Sequence, residues 1–190
     1  MNTNLKKKKK WRYFWKVQKK KSEEKTEEFR TLNAENISPQ GIPEWKEVCE
    51  DWGACMLGAA KTISEGVAIG LKLNRSYFTD LLENGPHLLA PTGIDFNKYG
   101  KLNTIIAGYH YDLNFITLHG KSRFPGLYIW LRDGRRCAVK VPEGCLIAQA
   151  AKQLEWITGG FVYMILYTLD FFGDGSEARK GGALHFNDEN

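Results

Sequence analysis

Gly108-Tyr-His110-Tyr-Asp112-Leu-Asn-Phe-Ile-Thr-Leu-His119 is the stretch on which the reading of this chain turns. On a strand, residues i and i+2 point to one face, so the His110 imidazole and the Asp112 carboxylate can converge on one metal ion from a single rigid element. With 4 His and 8 Asp among 190 residues, about 0.2 such triplets arise by chance. Alone, the triplet equally fits a hydrogen-bonded surface pair. Its surroundings choose between the two.

Around it lie short runs of β character: Thr104–Ala107, Asn114–Leu118, Leu127–Leu131, Ala138–Val141 and Cys145–Gln149. Each is bounded by Gly, Pro or Asp, residues that favour turns. Asp133-Gly134 between two of these runs signals a hairpin, and Pro142-Glu143-Gly144 signals a further turn. A piece near Ala150–Ile157 reads as helix and stops at Gly159-Gly160. Regular short strands behind N-terminal helices predict an α+β chain whose second half is an antiparallel barrel or jelly roll.

The helices lie upstream. Pro43 suits a first helical turn, Glu44 and Glu47 favour its positive end, and Gly70 suits its stop. Trp45, Val48, Trp52, Cys55, Met56, Ala59, Ile63 and Val67 recur every three or four residues and predict a buried face. A second helix is expected over Ser76–Glu83, with Ser76 as its cap. Ser22–Gln40 is polar and reads as a linker. Before it, Trp11, Tyr13 and Trp15 alternate at the period of a strand packed on a core. The cations of Lys6–Lys21 around them also fit binding to nucleic acid phosphates or an anionic membrane surface, and the strand reading is preferred to that one.

Composition sets the outer bounds. An apolar share of 43% supplies core material for one globular domain and excludes disorder throughout. No run of eighteen apolar residues is present, so no membrane span is expected. The net charge of +5 divides into +8 over residues 1–30 and −3 over the rest, so the basicity belongs to the N-terminal tail. Cys49, Cys55, Cys137 and Cys145 form no CxxC pair and read as reduced thiols, the last two as small core residues. Without an apolar leader segment at Met1–Lys10, the expected location is cytoplasmic, with the nucleus as the alternative.

Taken in order, Gly108–His119, Pro125-Gly-Leu-Tyr-Ile-Trp130, Asp133-Gly-Arg-Arg136, Val139-Lys-Val-Pro-Glu-Gly-Cys145 and Gln153-Leu-Glu-Trp-Ile-Thr-Gly-Gly160 resemble the isopenicillin N synthase-like family of Fe(II)/2-oxoglutarate-dependent dioxygenases. The resemblance is strong over Gly108–Gly160 and weaker over Trp11–Gly100. It implies an oxidoreductase with a double-stranded β-helix (a jelly roll) behind a helical N-terminal part. It also implies bound iron, 2-oxoglutarate as co-substrate and a small-molecule substrate, with nucleic acid not expected as a partner. On matching positions it makes His110 and Asp112 metal ligands. Two histidines and one carboxylate on one face of Fe(II) leave three positions for co-substrate and dioxygen.

The resemblance also implies a second histidine within about ten residues of Gly160, then an Arg-x-Ser pair for 2-oxoglutarate. The chain instead reads Phe161-Val-Tyr-Met-Ile-Leu-Tyr-Thr-Leu-Asp170, with His185 as a poor substitute and Arg179 followed by Lys180-Gly181. The preferred expectation is that residues 161–190 are not the native continuation. A catalytically silent relative, or a non-catalytic jelly-roll binding module, is the alternative. The chain is thus expected to comprise a basic tail, aromatic strand and linker (1–40), a helical part (41–100), an incomplete double-stranded β-helix (101–162) and a divergent tail (163–190). Weak iron binding and almost no turnover follow. His87 reads as a structural loop histidine. His119 has opposite parity to His110 and Asp112 and, unless a bulge intervenes, is expected to face away from the metal. Lys121, Arg123, Arg132, Arg135 and Arg136 read as solvated surface rather than as an anion-binding cluster.

Overall fold

A computed structural model of the chain describes residues 10–17, 34–83, 85–100, 104–121, 126–171 and 183–184. The Lys6–Lys9 run, Lys19–Lys21, most of the expected linker, Arg123, Arg179 and His185 lie outside the described residues. The backbone forms two compact units, one of residues 12–92 and the other of residues 1–11 with 93–190.

In the first unit β2 (Trp15–Lys16) pairs antiparallel with β3 (Leu88–Leu89), beside α1 (Trp45–Gly70) and α2 (Tyr77–Leu82). Trp15 is 1% exposed and anchors the core with Phe78, Cys49, Ser64 and Ala68. The expected aromatic strand is split: β1 (Lys10–Arg12) and β2 are separate, Trp11 is 59% exposed, and only Trp15 is buried. The amide side chain of Asn36 takes both backbone groups of Lys16, at 2.8 Å each, in place of a neighbouring strand.

Helix α1 forms over the expected range but buries a different face. Cys49, Gly53, Ser64 and Ala68 are buried, whereas Val48 is 61% and Trp52 49% exposed and Cys55 is exposed too. The buried stripe is rotated by about one residue from the apolar one. Small residues explain this, because they let the helix approach its neighbours closely: a Cβ on Gly53 would stand 3.0 Å from both Val17 methyls. The helix leaves through Lys72, whose φ of 60° is the left-handed turn, while the Leu73 amide caps the Ala68 carbonyl at 2.9 Å. At α2, Ser76 holds the cap position, but its hydroxyl bonds the Asp80 carboxylate rather than the helix backbone.

The second unit contains β4 (Thr92–Ile94), which pairs with β1, and α3 (Phe96–Tyr99). A Cβ on Gly93 would lie 2.2 Å from the Trp11 ring, so that glycine is what lets the indole lie flat on the backbone. A five-stranded sheet follows in the order β11-β8-β7-β10-β5. Its strands are β5 (Thr104–His110), β7 (Leu127–Trp130), β8 (Arg136–Val139), β10 (Leu166–Phe171) and β11 (Ala183–Leu184). A separate antiparallel ladder joins β6 (Ile116–His119) to β9 (Ile147–Ala150). Within these two sheets, among the described residues, β5–β10, β10–β7, β7–β8 and β6–β9 pair antiparallel and β11 pairs parallel with β8.

The Asp133-Gly134 hairpin forms as expected between β7 and β8, with Gly134 at φ 83° and its amide 3.0 Å from the Leu131 carbonyl. Gly144, at φ 72°, completes the Pro142 turn. Helix α4 (Lys152–Ile157) ends in Gly159 and Gly160, both left-handed, and the Gly160 amide bonds the Glu155 carbonyl at 2.8 Å. Past residue 162, where a divergent tail was expected, the chain enters β10 and pairs with both β5 and β7. Tyr167 and Thr168 are both buried, so both faces of β10 are covered. Cys137 is in the core as expected, but Cys145 is exposed because it lies in the turn rather than in the strand.

Candidate functional site

His110 closes β5, and Asp112 follows in the irregular segment leading to β6. The imidazole Nδ1 donates to the Gly108 carbonyl at 2.6 Å. A carbonyl can only accept, so in the neutral ring Nε2 keeps a bare lone pair. That nitrogen stands 4.0 Å from Asp112 Oδ1. Orientation of one ring nitrogen by a backbone carbonyl, with the other left free, is how metal-binding histidines are held.

Asp112 is held from three sides. Thr117 on β6 donates its hydroxyl to Oδ2 at 2.6 Å, and the Tyr167 hydroxyl on β10 lies 2.9 Å from both oxygens. Behind the carboxylate, the Lys152 amide at the start of α4 bonds the Asp112 carbonyl at 2.9 Å, and the Gln153 amide bonds the Asn114 carbonyl at 3.1 Å. Glu155 in turn accepts from the Lys152 ammonium and from the Met164 amide. The Lys152 hydrogen bond first, and the Met164 amide second, hold its carboxyl below the usual glutamate range. One carboxylate thus ties α4 to the segment that delivers β10.

Tyr167 pairs with His110 in the ladder, and their ring centroids are 4.3 Å apart. The His119 ring lies edge-on to Tyr167 at 5.9 Å. Residues 111–115 are not strand, so side-chain alternation does not run from His110 through to His119. Within β6, His119 shares a face with Thr117, and Gln149 lies directly opposite Thr117 on β9. Gln149 is 2% exposed, and its Nε2 has no hydrogen-bond partner among the described residues.

The structure therefore brings His110 and Asp112 together. It adds Tyr167, Thr117 and Gln149, which the sequence reading passed over. Tyr167 lay hidden in an uncharged run, and the available signal was a phenol within ten residues of Gly160, where a metal ligand was due. Among the described residues no group of three or more His, Cys, Asp or Glu gathers as a metal cage. Two ligands on an ion at roughly 2.0–2.2 Å, set at right angles, stand about 3 Å apart. The His110–Asp112 pair, 4.0 Å apart, must close by about 1 Å to share one ion. As a donor set, the pair fits two arms of a three-armed iron site.

The remaining candidates have structural partners. The His87 ring bonds the Leu82 carbonyl at 2.8 Å, as expected for a loop histidine. Lys121 pairs with Glu143 and Arg135 with Asp133. Arg132 lies 3.3 Å over the Tyr163 ring and Arg136 3.7 Å over that of Tyr128. No helix among the described residues is long and apolar enough to cross a membrane.

No family model and no curated protein matches the sequence. Solved structures do match the fold. A protein assigned to the 2OG-Fe(II) oxygenase family of Caulobacter crescentus is 24% identical with a TM-score of 0.67, over 92% of this chain and 53% of that one. A full-length Neurospora crassa protein in complex with alpha-KG is 14% identical with a TM-score of 0.71, over 85% of this chain and 49% of that one. JOX2, in complex with 2OG, Fe and JA, is 13% identical with a TM-score of 0.64, over 87% of this chain and 46% of that one. The chain shares the fold of 2OG-Fe(II) oxygenases, which are jelly rolls, and spans about half the length of these structures.

Proposed function

We propose that the chain is an Fe(II)/2-oxoglutarate-dependent oxygenase-like protein of the isopenicillin N synthase-like group, built on an incomplete double-stranded β-helix and close to inactive. The observation that carries this reading is the His110–Asp112 pair, with Nε2 bare, the ring fixed by Gly108, and the carboxylate 4.0 Å away. Bound iron would supply the oxidative chemistry. The chain's own part is to hold the ion through His110 and Asp112, with Thr117 and the α4 backbone fixing the carboxylate. Such a pair holds a labile divalent ion weakly. The substrate in this reading is a small molecule, nucleic acid is not a partner, and the chain acts in the cytoplasm.

The test is anaerobic Fe(II) titration of the wild type and of His110→Ala, with 2-oxoglutarate decarboxylation followed in parallel. Weak binding that His110→Ala abolishes, with turnover at background, is the expected result. Brisk iron-dependent decarboxylation would overturn the claim of near inactivity, and unchanged metal binding in His110→Ala would remove the ligand assignment. One observation favours a second reading, a non-catalytic binding module: the Thr117 and Tyr167 hydroxyls between them reach both Asp112 oxygens. A module of that kind shows no Fe(II) binding in the same titration.

A further inference from the structure

Tyr167 lies opposite His110 in the β5–β10 ladder, and its ring packs against the imidazole at 4.3 Å. Its hydroxyl reaches both Asp112 oxygens at 2.9 Å. The side chain is buried, so its phenol oxygen is held in place rather than swinging in solvent. An imidazole nitrogen from the end of β5, a carboxylate oxygen from the irregular segment after it and a phenol oxygen from β10 are thereby presented together.

We propose that Tyr167 is the third arm of this site, and that His110, Asp112 and Tyr167 together take up a ferric ion. The proposal rests on the His110–Asp112 reading above and adds the third ligand and the oxidation state that it selects. Carboxylate and phenolate are hard anionic oxygens, and with one neutral imidazole they bring two negative charges. That donor set leaves Fe(II) neutral and Fe(III) still cationic, so it favours the ferric ion, as tyrosine ligation of iron does elsewhere. Binding breaks the phenol O–H bond and forms an Fe–O bond. The proton goes to solvent, and no electron changes hands.

Ferric nitrilotriacetate is added to the full chain and the visible spectrum is recorded. The expected result is a one-to-one phenolate-to-iron charge-transfer band, lost in Tyr167→Phe and kept in Tyr111→Phe. His110→Ala is expected to weaken ferric binding by about tenfold or more. A colourless wild type, or a Tyr167→Phe protein with the full band, overturns the proposal. Should Tyr167→Phe fail to fold, Tyr167→His takes its place, and a retained band there overturns the proposal equally. If the ferric band is absent while Fe(II) binding still depends on His110, the Tyr167 arm alone falls. If His110→Ala changes the binding of neither ion, the oxygenase-like reading falls with it.

Discussion

Thr117→Val tests whether the Asp112 carboxylate is held for a purpose. Valine keeps the β-branched shape that suits β6 and removes only the hydroxyl. The lost bond is the 2.6 Å contact to Asp112 Oδ2, since the single hydroxyl proton serves that carboxylate before the Asn114 amide oxygen at 3.0 Å. Hydrogen bonds of this type contribute roughly 1.5–3 kcal/mol. Asp112 is 23% exposed and retains the Tyr167 hydroxyl, so water and the phenol offset part of the loss. A net cost of about 1 kcal/mol remains, which lowers Tm by roughly 2–4 °C in a chain of this size. On the proposed reading of Asp112 as a metal ligand, the effect on iron affinity is larger in proportion, because partners that orient a ligand change affinity by about 10–100-fold. Thermal melting by circular dichroism and Fe(II) titration on the same samples measure both. Unchanged Tm together with unchanged affinity would refute the claim that Thr117 orients Asp112.

Three further outcomes are expected. Gln149→Met removes a buried donor without a partner, so stability holds or rises by about 1 kcal/mol; a loss of that size in the urea midpoint would contradict the unsatisfied donor. Glu155→Gln flattens the acid limb of stability. The folded carboxyl lies below its ordinary 4.5, so its contribution is present above that pH and fades as pH falls through the depressed value. Urea midpoints from pH 7 to 3 decide this, and parallel wild-type and variant curves would contradict it. Gly134→Ala forces a Cβ onto a φ of 83° and costs roughly 1–2 kcal/mol, read as a Tm lower by several degrees; an unchanged Tm would show the turn relaxing.

Much of the fold could be read from residues that speak locally. Pro43 and Gly70 bracket α1 within two residues, and Asp133-Gly134 marks its hairpin because that turn needs a left-handed residue. What stayed hidden depended on distant packing. The apolar stripe of α1 pointed to Val48 and Trp52, yet close approach selected Cys49, Gly53 and Ser64, whose virtue is small size. For the site, the His110-Tyr-Asp112 spacing was legible because the two residues are near neighbours in the chain, although only His110 lies on β5 and Asp112 follows it in irregular backbone. Tyr167 was not, because its partners are brought to it by β10 pairing, and a tyrosine in an apolar run carries no ligand spacing of its own. His119 was misplaced for a related reason: alternation is a rule within a strand, and the chain leaves the sheet between His110 and Ile116.

The position of β10 also governs how the protein can be made. It is hydrogen-bonded to β5 on one side and to β7 on the other, though it follows both by dozens of residues. During synthesis, β5 and the β7–β8 hairpin must therefore wait with unsatisfied edges until Leu166–Phe171 clears the ribosome and slots between them. The Tyr167 contacts to His110 and Asp112 cannot form before that insertion. A nascent chain stalled short of residue 171 accordingly leaves those strand edges open to edge-to-edge association.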